Sequence, residues 1–198
     1  MPEVFLSVVI PAYNEEARIL PTLRGIDDVL GRQAGDSSGD DGSFEVIVGD
    51  DGSEDGTSEV VRTFSQSHPW CRLVQYETNR GKGAILRDLV ADSRGDLLIY
   101  SDADLPVEPT HFEYLLAPLR DGSADLVLVS RWLTDSPTVE DVPVLRTVVS
   151  QLFRLAALPV KPAGVTDTQC GCKALRGSLA RELFPGLMID GFAFDIEL

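Results

Sequence analysis

Short apolar runs alternate along the chain with segments in which apolar residues recur at helical spacing. Five runs of strand length end at glycine, proline or polar residues and predict buried β-strands. They lie at 5–12, 44–49, 71–76, 96–101 and 124–130. Apolar residues three and four positions apart predict helices between them, at 14–30, 53–67, 85–90 and 109–120. Because strands that alternate with helices form mainly parallel sheets flanked by helices, we predict a single α/β domain over residues 1–198.

Two segments depart from this alternation. Residues 32–43 are polar and glycine-rich, and the hydrophobic pattern resumes directly after them. They therefore predict a flexible surface loop within the domain and not a domain boundary. The chain ends on 194–198 without a polar tail, so we expect the sequence to stop partway through an element, truncated at its C-terminus.

Polar clusters follow the predicted strands at the points where the strands end. They lie at 11–15, 50–53, 79–83, 102–104 and 130–131. In an open parallel sheet, ligands bind beyond the carboxyl ends of the strands. The positions of the five clusters therefore predict one shared ligand site at this edge of the sheet.

The strongest chemical signal is the pair Asp102 and Asp104. In extended chain, residues two apart point to the same side, so the two carboxylates repel unless a cation lies beside them. Carboxylates with phosphate oxygens suit Mg²⁺ or Mn²⁺, which would neutralise charge on a diphosphate leaving group. The pair on its own is more typical of solvated acids in a turn, so the other clusters decide its interpretation.

Each of the other clusters allows both a binding role and a simple turn. Tyr13 is a candidate for holding a nucleotide base, and a carboxylate in the 50–53 segment for accepting hydrogen bonds from a nucleoside. Gly81 and Gly83 would let the backbone approach a ligand closely, with Lys82 near phosphate. In the alternative, these segments are ordinary strand-to-helix turns, with Asn14 as the N-cap of the first helix.

Composition narrows the class of protein. The formal net charge of −15 argues against a general nucleic-acid partner and against broad attraction to anionic lipid. No apolar run approaches the length of a membrane span, and no secretory leader is visible. The three cysteines, an odd number, favour reduced thiols in the cytosol.

The ordered set of motifs resembles the family 2 glycosyltransferases of the GT-A fold, a single Rossmann-like domain. The resemblance rests on four segments at 9–16, 50–57, 79–83 and 102–104, and it runs from about residue 5 to the end. Within the family, 167–173 and 194–198 are similar to the dolichyl-phosphate β-glucosyltransferases, although Cys172 replaces a bulkier residue. This likeness favours UDP-glucose, or another UDP-hexose, over GDP-mannose.

The resemblance implies a role for each matching residue. Asp102 and Asp104 would hold the metal, Mg²⁺ or Mn²⁺, and the diphosphate, and Asp195 would be catalytic by contacting the donor sugar or steering the acceptor. The implied donor-binding residues are Pro11, Ala12, Tyr13, Glu15, Asp51, Lys82, Asp102, Ala103 and Asp104. The implied acceptor-phosphate residues are Arg131, Arg146 and Ser150.

The spacing around the implied acceptor residues is informative by itself. Arg146, Ser150 and Arg154 recur every four residues, so a helix would carry them on one face. Two arginines on an amphipathic helix suit an anionic lipid head group. An ordinary surface helix packed on the core would show the same pattern.

The predicted function is inverting transfer of a hexose, glucose first, from a UDP-sugar to polyprenyl or dolichyl phosphate. We expect a cytoplasmic protein in peripheral contact with the cytosolic face of a membrane, and the sequence leaves open whether it forms a homo-oligomer. The alternatives are another donor, namely GDP-mannose or a UDP-N-acetylhexosamine, a non-lipid acceptor, or a nucleotide-sugar-binding module without turnover. A nucleotidyltransferase is disfavoured, because 11–14 lack a glycine-rich basic loop.

Overall fold

The computed structural model describes residues 4–31, 43–130 and 170–198, which form one six-stranded sheet with helices on both faces. The strands are β1 Leu6–Ala12, β2 Phe44–Asp50, β3 Cys71–Gln75, β4 Leu97–Ser101, β5 Leu126–Leu128 and β6 Cys172–Arg176. The α-helices are α1 Glu16–Ile26, α2 Thr57–Ser65, α3 Lys82–Asp92, α4 Phe112–Arg120 and α5 Gly177–Leu183. A π-helical turn spans Asp27–Gly31, and 3₁₀ turns span Pro109–His111, Phe184–Gly186 and Phe192–Ile196.

The sheet has the strand order β3-β2-β1-β4-β6-β5. Neighbours among the first four strands are parallel, and β6 runs antiparallel to both β4 and β5. Ala12 lies opposite Asp50 across β1 and β2, and Val9 lies opposite Tyr100 across β1 and β4. The carboxyl ends of β1, β2 and β4 therefore meet at one edge, and the predicted α/β fold with a mainly parallel sheet is confirmed. Strand β6 was not predicted.

The core lies on both faces of the sheet because the central strands are apolar at nearly every position. Val8 and Ile10 face a cluster that includes Leu23 of α1, whereas Val9 faces a cluster that includes Ile85 of α3. All five side chains are fully buried. Complete burial of such a side chain stabilises the fold by about 1.5–3 kcal/mol, so this sandwich holds the strand ends in a fixed arrangement.

The turn after β1 differs from the prediction. Asn14 is not the N-cap of α1, which begins at Glu16 and has Glu15 at the cap position. Asn14 has φ of 56°, a left-handed conformation that asparagine tolerates better than most residues. Its side-chain oxygen accepts the Glu54 N–H at 2.9 Å, so Asn14 ties the turn after β1 to the turn after β2.

Two predicted features fall wholly or largely outside the described residues. The loop predicted at 32–43 is described only at Ser43, which precedes β2. The helix predicted around 146–154 lies outside the described ranges altogether. Within those ranges, no helix combines the length and the apolar character needed to cross a membrane.

A polar network at the opposite edge of the sheet is centred on Glu45, which is buried. Its carboxylate accepts the Ser7 hydroxyl at 2.7 Å, the Arg94 backbone N–H at 2.7 Å and the Arg94 guanidinium at 2.8 Å. Burial pushes the pKa of Glu45 upward, but the hydrogen bonds from Arg94 and Ser7 outweigh burial, and the pKa lies below its ordinary value of 4.5.

We expect Glu45→Gln to lower the free energy of unfolding by about 2 kcal/mol at pH 7, because a charged, buried acceptor is lost. Since the folded-state pKa is lowered, the charge of Glu45 stabilises the fold fully above pH 4.5 and progressively less as the pH falls through the folded-state pKa. Urea unfolding between pH 7 and pH 3 measures this dependence, and the difference between wild type and variant should shrink in acid.

The matched control is Glu59→Gln, which removes an exposed ion pair with Arg62. Exposed pairs contribute at most about 1 kcal/mol, so this variant should stay close to wild type. A constant difference between wild type and Glu45→Gln across the whole pH range would contradict the assignment.

Candidate active site

A cleft of about 570 Å³ lies at the carboxyl edge of the sheet. It is lined by Pro11, Ala12, Tyr13, Glu15, Arg18, Asp51, Asn79, Gly81, Lys82, Asp102, Ala103, Asp104 and Phe192. All nine residues predicted to bind the donor are among them, so the structure brings together the first four polar clusters. The fifth cluster is described only as far as Ser130. Arg18 and Phe192 were missed, since neither belongs to a motif at a strand end.

The wall formed by β1 and α1 places an aromatic ring beside acidic groups. Tyr13 is 44% exposed and stands at the edge of the cleft. Glu15 pairs with Arg18 at 2.6 Å, and its backbone N–H donates to the Thr57 hydroxyl at 2.8 Å. Burial raises the pKa of Glu15; Arg18 opposes this shift, and the acid pair at 102 and 104 adds to it. The cleft therefore concentrates negative charge that a cation would relieve.

Asp51 organises the loop on the other side of the cleft. Its side chain is buried, and its two oxygens accept the backbone N–H groups of Arg80 at 2.7 Å and Gly81 at 2.8 Å. Gly81 has φ of 95°, a conformation that favours glycine. Asp51 thus holds the 79–81 loop in place, and its contact with a nucleoside stays a prediction.

The glycines around Lys82 pack against another part of the chain, although Gly81 also lines the cleft. A Cβ on Gly83 would lie 2.2 Å from the Ile189 carbonyl oxygen, and one on Gly81 would lie 2.5 Å from the Asp190 carbonyl oxygen. The Asp190 carbonyl also accepts the Gly83 N–H at 2.7 Å. The segment at 189–190 therefore covers the first turn of α3. Gly81 lines the cleft and Gly83 does not, so the approach of the Gly81 backbone to a ligand stays a prediction. The Lys82 side chain still reaches the cleft.

The two acids that follow β4 lie in two different environments. Asp102 is partly buried and lies 2.6 Å from Lys82 Nζ, whereas Asp104 is exposed. Burial raises the pKa of Asp102, and the charge of Lys82 opposes that shift. The backbone between them is pinned, because the Thr22 hydroxyl of α1 donates to the Ala103 carbonyl.

Gly171, just before β6, determines where the Asp102 carboxylate can sit. Its carbonyl accepts the Asp102 N–H at 2.8 Å. A Cβ on Gly171 would lie 1.9 Å from Asp102 Oδ2. Any side chain at 171 would therefore displace that carboxylate. The strand-end pattern missed this contact of Gly171 with Asp102, although Gly171 belongs to the 167–173 segment of the family resemblance.

The carboxylates that follow β4 fit a hard divalent cation. Asp102 and Asp104 offer carboxylate oxygens on the cleft wall, the ligands that Mg²⁺ and Mn²⁺ prefer. In the described part of the chain, no three histidine, cysteine or acidic side chains are grouped to hold a metal alone. Such a pair suits an ion that takes its remaining ligands from a diphosphate and water.

Asp195 does not lie on the cleft wall. Its carboxylate is 6% exposed and is ion-paired with Lys173, and the Tyr100 hydroxyl also donates to it. Burial lowers the pKa of Lys173, while the charge of Asp195 opposes that shift. Lys82 Nζ lies 5.8 Å from the centre of the Tyr100 ring, so this buried network lies behind Lys82. The catalytic role predicted for Asp195 stays a prediction.

The three predicted acceptor-phosphate residues, Arg131, Arg146 and Ser150, lie outside the described residues. The described cleft is therefore the donor half of the predicted site.

Comparisons with known proteins agree with this geometry. The sequence profile named Glycosyl transferase family 2 matches residues 7–184. The dolichyl-phosphate beta-glucosyltransferase of Dictyostelium discoideum is 34% identical over 98% of this chain and 61% of its own length. The mouse protein of the same name is 35% identical over 100% of this chain and 62% of its own. This chain thus spans about three fifths of the length of these relatives.

A solved structure shows the same architecture. Glucosyl-3-phosphoglycerate synthase from Mycobacterium tuberculosis, in complex with Mn²⁺, UDP-glucose and phosphoglyceric acid, superposes with a TM-score of 0.68 at 25% identity. The match covers 98% of this chain and 62% of that one. The fold is GT-A, and the chain belongs to glycosyl transferase family 2.

Proposed function

We propose that this domain transfers glucose, with inversion, from UDP-glucose to a polyprenyl or dolichyl phosphate and uses Mg²⁺ or Mn²⁺. The observation that carries the proposal is the convergence of Asp102, Asp104 and Lys82 with the Tyr13 wall in one cleft. The dolichyl-phosphate beta-glucosyltransferases among its relatives support the lipid acceptor. A lipid acceptor also implies peripheral contact with a membrane, and we assign the cytosolic face.

The cleft suits a nucleotide sugar in size and chemistry. Its volume of about 570 Å³ lies within the range of small-molecule sites. Tyr13, Glu15 and Asp51 would contact the nucleoside, with Pro11 and Ala12 as backbone walls. Lys82 would meet the diphosphate beside Asp102, where it already neutralises one carboxylate. Mn²⁺ and UDP-glucose bound to the mycobacterial relative support this division.

The proposed reaction is one displacement at the anomeric carbon. An oxygen of the acceptor phosphate forms the new bond to that carbon, and the bond to the diphosphate oxygen breaks with its electron pair leaving on UDP. The acceptor needs no strong general base, because a phosphate monoester is largely dianionic at pH 7, with a second pKa of about 6. A divalent ion held by Asp102 and Asp104 would supply charge neutralisation on the departing diphosphate.

This chain's residues then act by positioning and by charge. Asp51 keeps the 79–81 loop against the donor, and Lys82 brings a cation to the phosphates. The buried Asp195–Lys173 pair packs against the Tyr100 ring, and this ring in turn supports the Lys82 side chain. Arg131, Arg146 and Ser150 would receive the acceptor phosphate. Catalysis therefore rests on alignment and on electrostatic stabilisation.

The experiment that tests the proposal has two arms. Calorimetry with Mn²⁺ compares UDP-glucose, UDP-galactose, the UDP-N-acetylhexosamines and GDP-mannose, and UDP-glucose should bind most tightly. A transfer assay then compares a polyprenyl phosphate with sugar and polyol hydroxyl acceptors, and product should form only on the lipid phosphate.

Each other outcome would replace a specific part of the proposal. Tighter binding of GDP-mannose would change the donor. Product on a hydroxyl acceptor would change the acceptor. Donor binding without transfer or hydrolysis would make the chain a nucleotide-sugar-binding module.

A further inference from the structure

One exposed apolar side chain on the cleft is not among the residues assigned to the nucleotide sugar. Phe192 lines the cleft and is 79% exposed. The donor offers it only hydroxyls, phosphates and a base, and the base is assigned to the Tyr13 wall. Exposing a phenyl ring to water is unfavourable unless a partner covers it.

The loop that carries Phe192 is tethered on both sides. The Glu197 carboxylate accepts the N–H groups of Met188 at 2.9 Å and Ile189 at 2.8 Å. The Asp190 carbonyl accepts the Gly83 N–H, and the Asp190 carboxylate pairs with Arg87 of α3. The exposure of Phe192 is therefore imposed by a fixed loop.

The residues that follow Phe192 anchor the C-terminal side of this loop. Phe194 is fully buried, and Asp195 is paired with Lys173. The Phe194 ring centre lies 5.5 Å from Lys82 Nζ, so the loop passes beside the proposed diphosphate position. Phe192 therefore lines the cleft on a loop that packs against α3.

Neighbouring side chains add to the exposed apolar surface of this loop. Met188 is 82% exposed and Ile189 is 36% exposed, and both lie on the same tethered loop. In an inverting displacement the acceptor phosphate approaches the anomeric carbon from the face opposite the departing diphosphate, and the group attached to that phosphate leaves the cleft past its lining. Among the proposed reactants, the isoprenoid tail is the one with an extended apolar surface.

We propose that Phe192 contacts the first isoprenoid units of the acceptor and selects prenyl phosphates over phosphates with polar tails. This inference rests on the proposed function, because it assumes a lipid phosphate acceptor. Phe192 determines specificity in this account: it touches the tail and not the reacting atoms.

The test measures kcat/KM for a series of phosphates that carry one, two and several isoprenoid units, with UDP-glucose and Mn²⁺. In the wild type, kcat/KM should rise steeply with the first units. Phe192→Ser should lower kcat/KM for the longer acceptors by about tenfold or more, the equivalent of about 1.4 kcal/mol of lost contact, and should flatten the rise. Phe192→Leu should retain most of it. The matched control is Tyr114→Ser, which alters another exposed ring away from the cleft.

Three results would overturn the inference, and each is distinct. An unchanged dependence on tail length in Phe192→Ser would remove Phe192 from acceptor selection. An equal loss for every acceptor, together with weaker UDP-glucose binding by calorimetry, would assign the ring to the donor sugar. Failure of the wild type to transfer to any prenyl phosphate would overturn the proposed function itself.

Discussion

Asp104→Asn is expected to reduce transfer from UDP-glucose by about 1,000-fold or more while the protein stays folded. A divalent ion contributes several kcal/mol to stabilising charge on a leaving group, and each 1.36 kcal/mol corresponds to a factor of about ten in rate. Asparagine keeps the size of the side chain but loses the negative charge that holds the ion. Asp104 is exposed, so the substitution should leave the core untouched.

Two quantities are measured: the transfer rate, and Mn²⁺ binding in the presence of UDP, which electron paramagnetic resonance detects. Both should fall together, and the circular dichroism spectrum should not change. Glu108→Gln is the control, because it removes one exposed carboxylate from the same turn without altering the cleft lining. Wild-type rates in Asp104→Asn would refute the metal-binding role of this residue.

The donor half of the site was predictable because local pattern and topology carry the same information. Apolar runs such as 97–101 predict buried strands, and parallel strands bring their carboxyl ends to one edge. Residues that end or directly follow such strands, namely Ala12, Asp51 and Asp102, therefore had to meet. Their meeting in one cleft depends little on details of side-chain packing.

Other features were not predictable because they depend on contacts between distant parts of the chain. The glycines at 81 and 83 were expected to let the backbone approach a ligand, yet the backbone at 189–190 packs against both of them, and Gly83 does not line the cleft. The ion pair of Asp195 with Lys173 was not visible in the sequence, because the position of Lys173 on β6 was itself not predicted. Residue types and their spacing do not show which distant segment packs against a given residue in the folded protein.

Gly171→Ala is the second variant with a large expected effect, because a single methyl group would occupy the place of the Asp102 carboxylate. The added Cβ would lie 1.9 Å from Oδ2 and 2.4 Å from Cγ of Asp102. Rotating a short side chain relieves such a clash more cheaply than moving a strand. The carboxylate should therefore turn away from Lys82, and the metal-binding pair should lose its geometry. We expect transfer to fall by about 100-fold or more, since misplacing a catalytic group by about 1 Å can cost that factor.

Stability and function should separate in this variant. Gly171→Ala should unfold within about 1 kcal/mol of the wild type, because Gly171 has no left-handed backbone conformation to lose and the displaced carboxylate lies at the cleft. Gly186→Ala is the matched control, since its Cβ would meet nothing within 4 Å, and it should retain full activity. Transfer rate, Mn²⁺ affinity with UDP and urea unfolding give the three measurements. Wild-type Mn²⁺ affinity in Gly171→Ala would show that the Asp102 carboxylate does not need the space that glycine leaves. A large loss of stability would instead show that Gly171 is needed for packing at the start of β6.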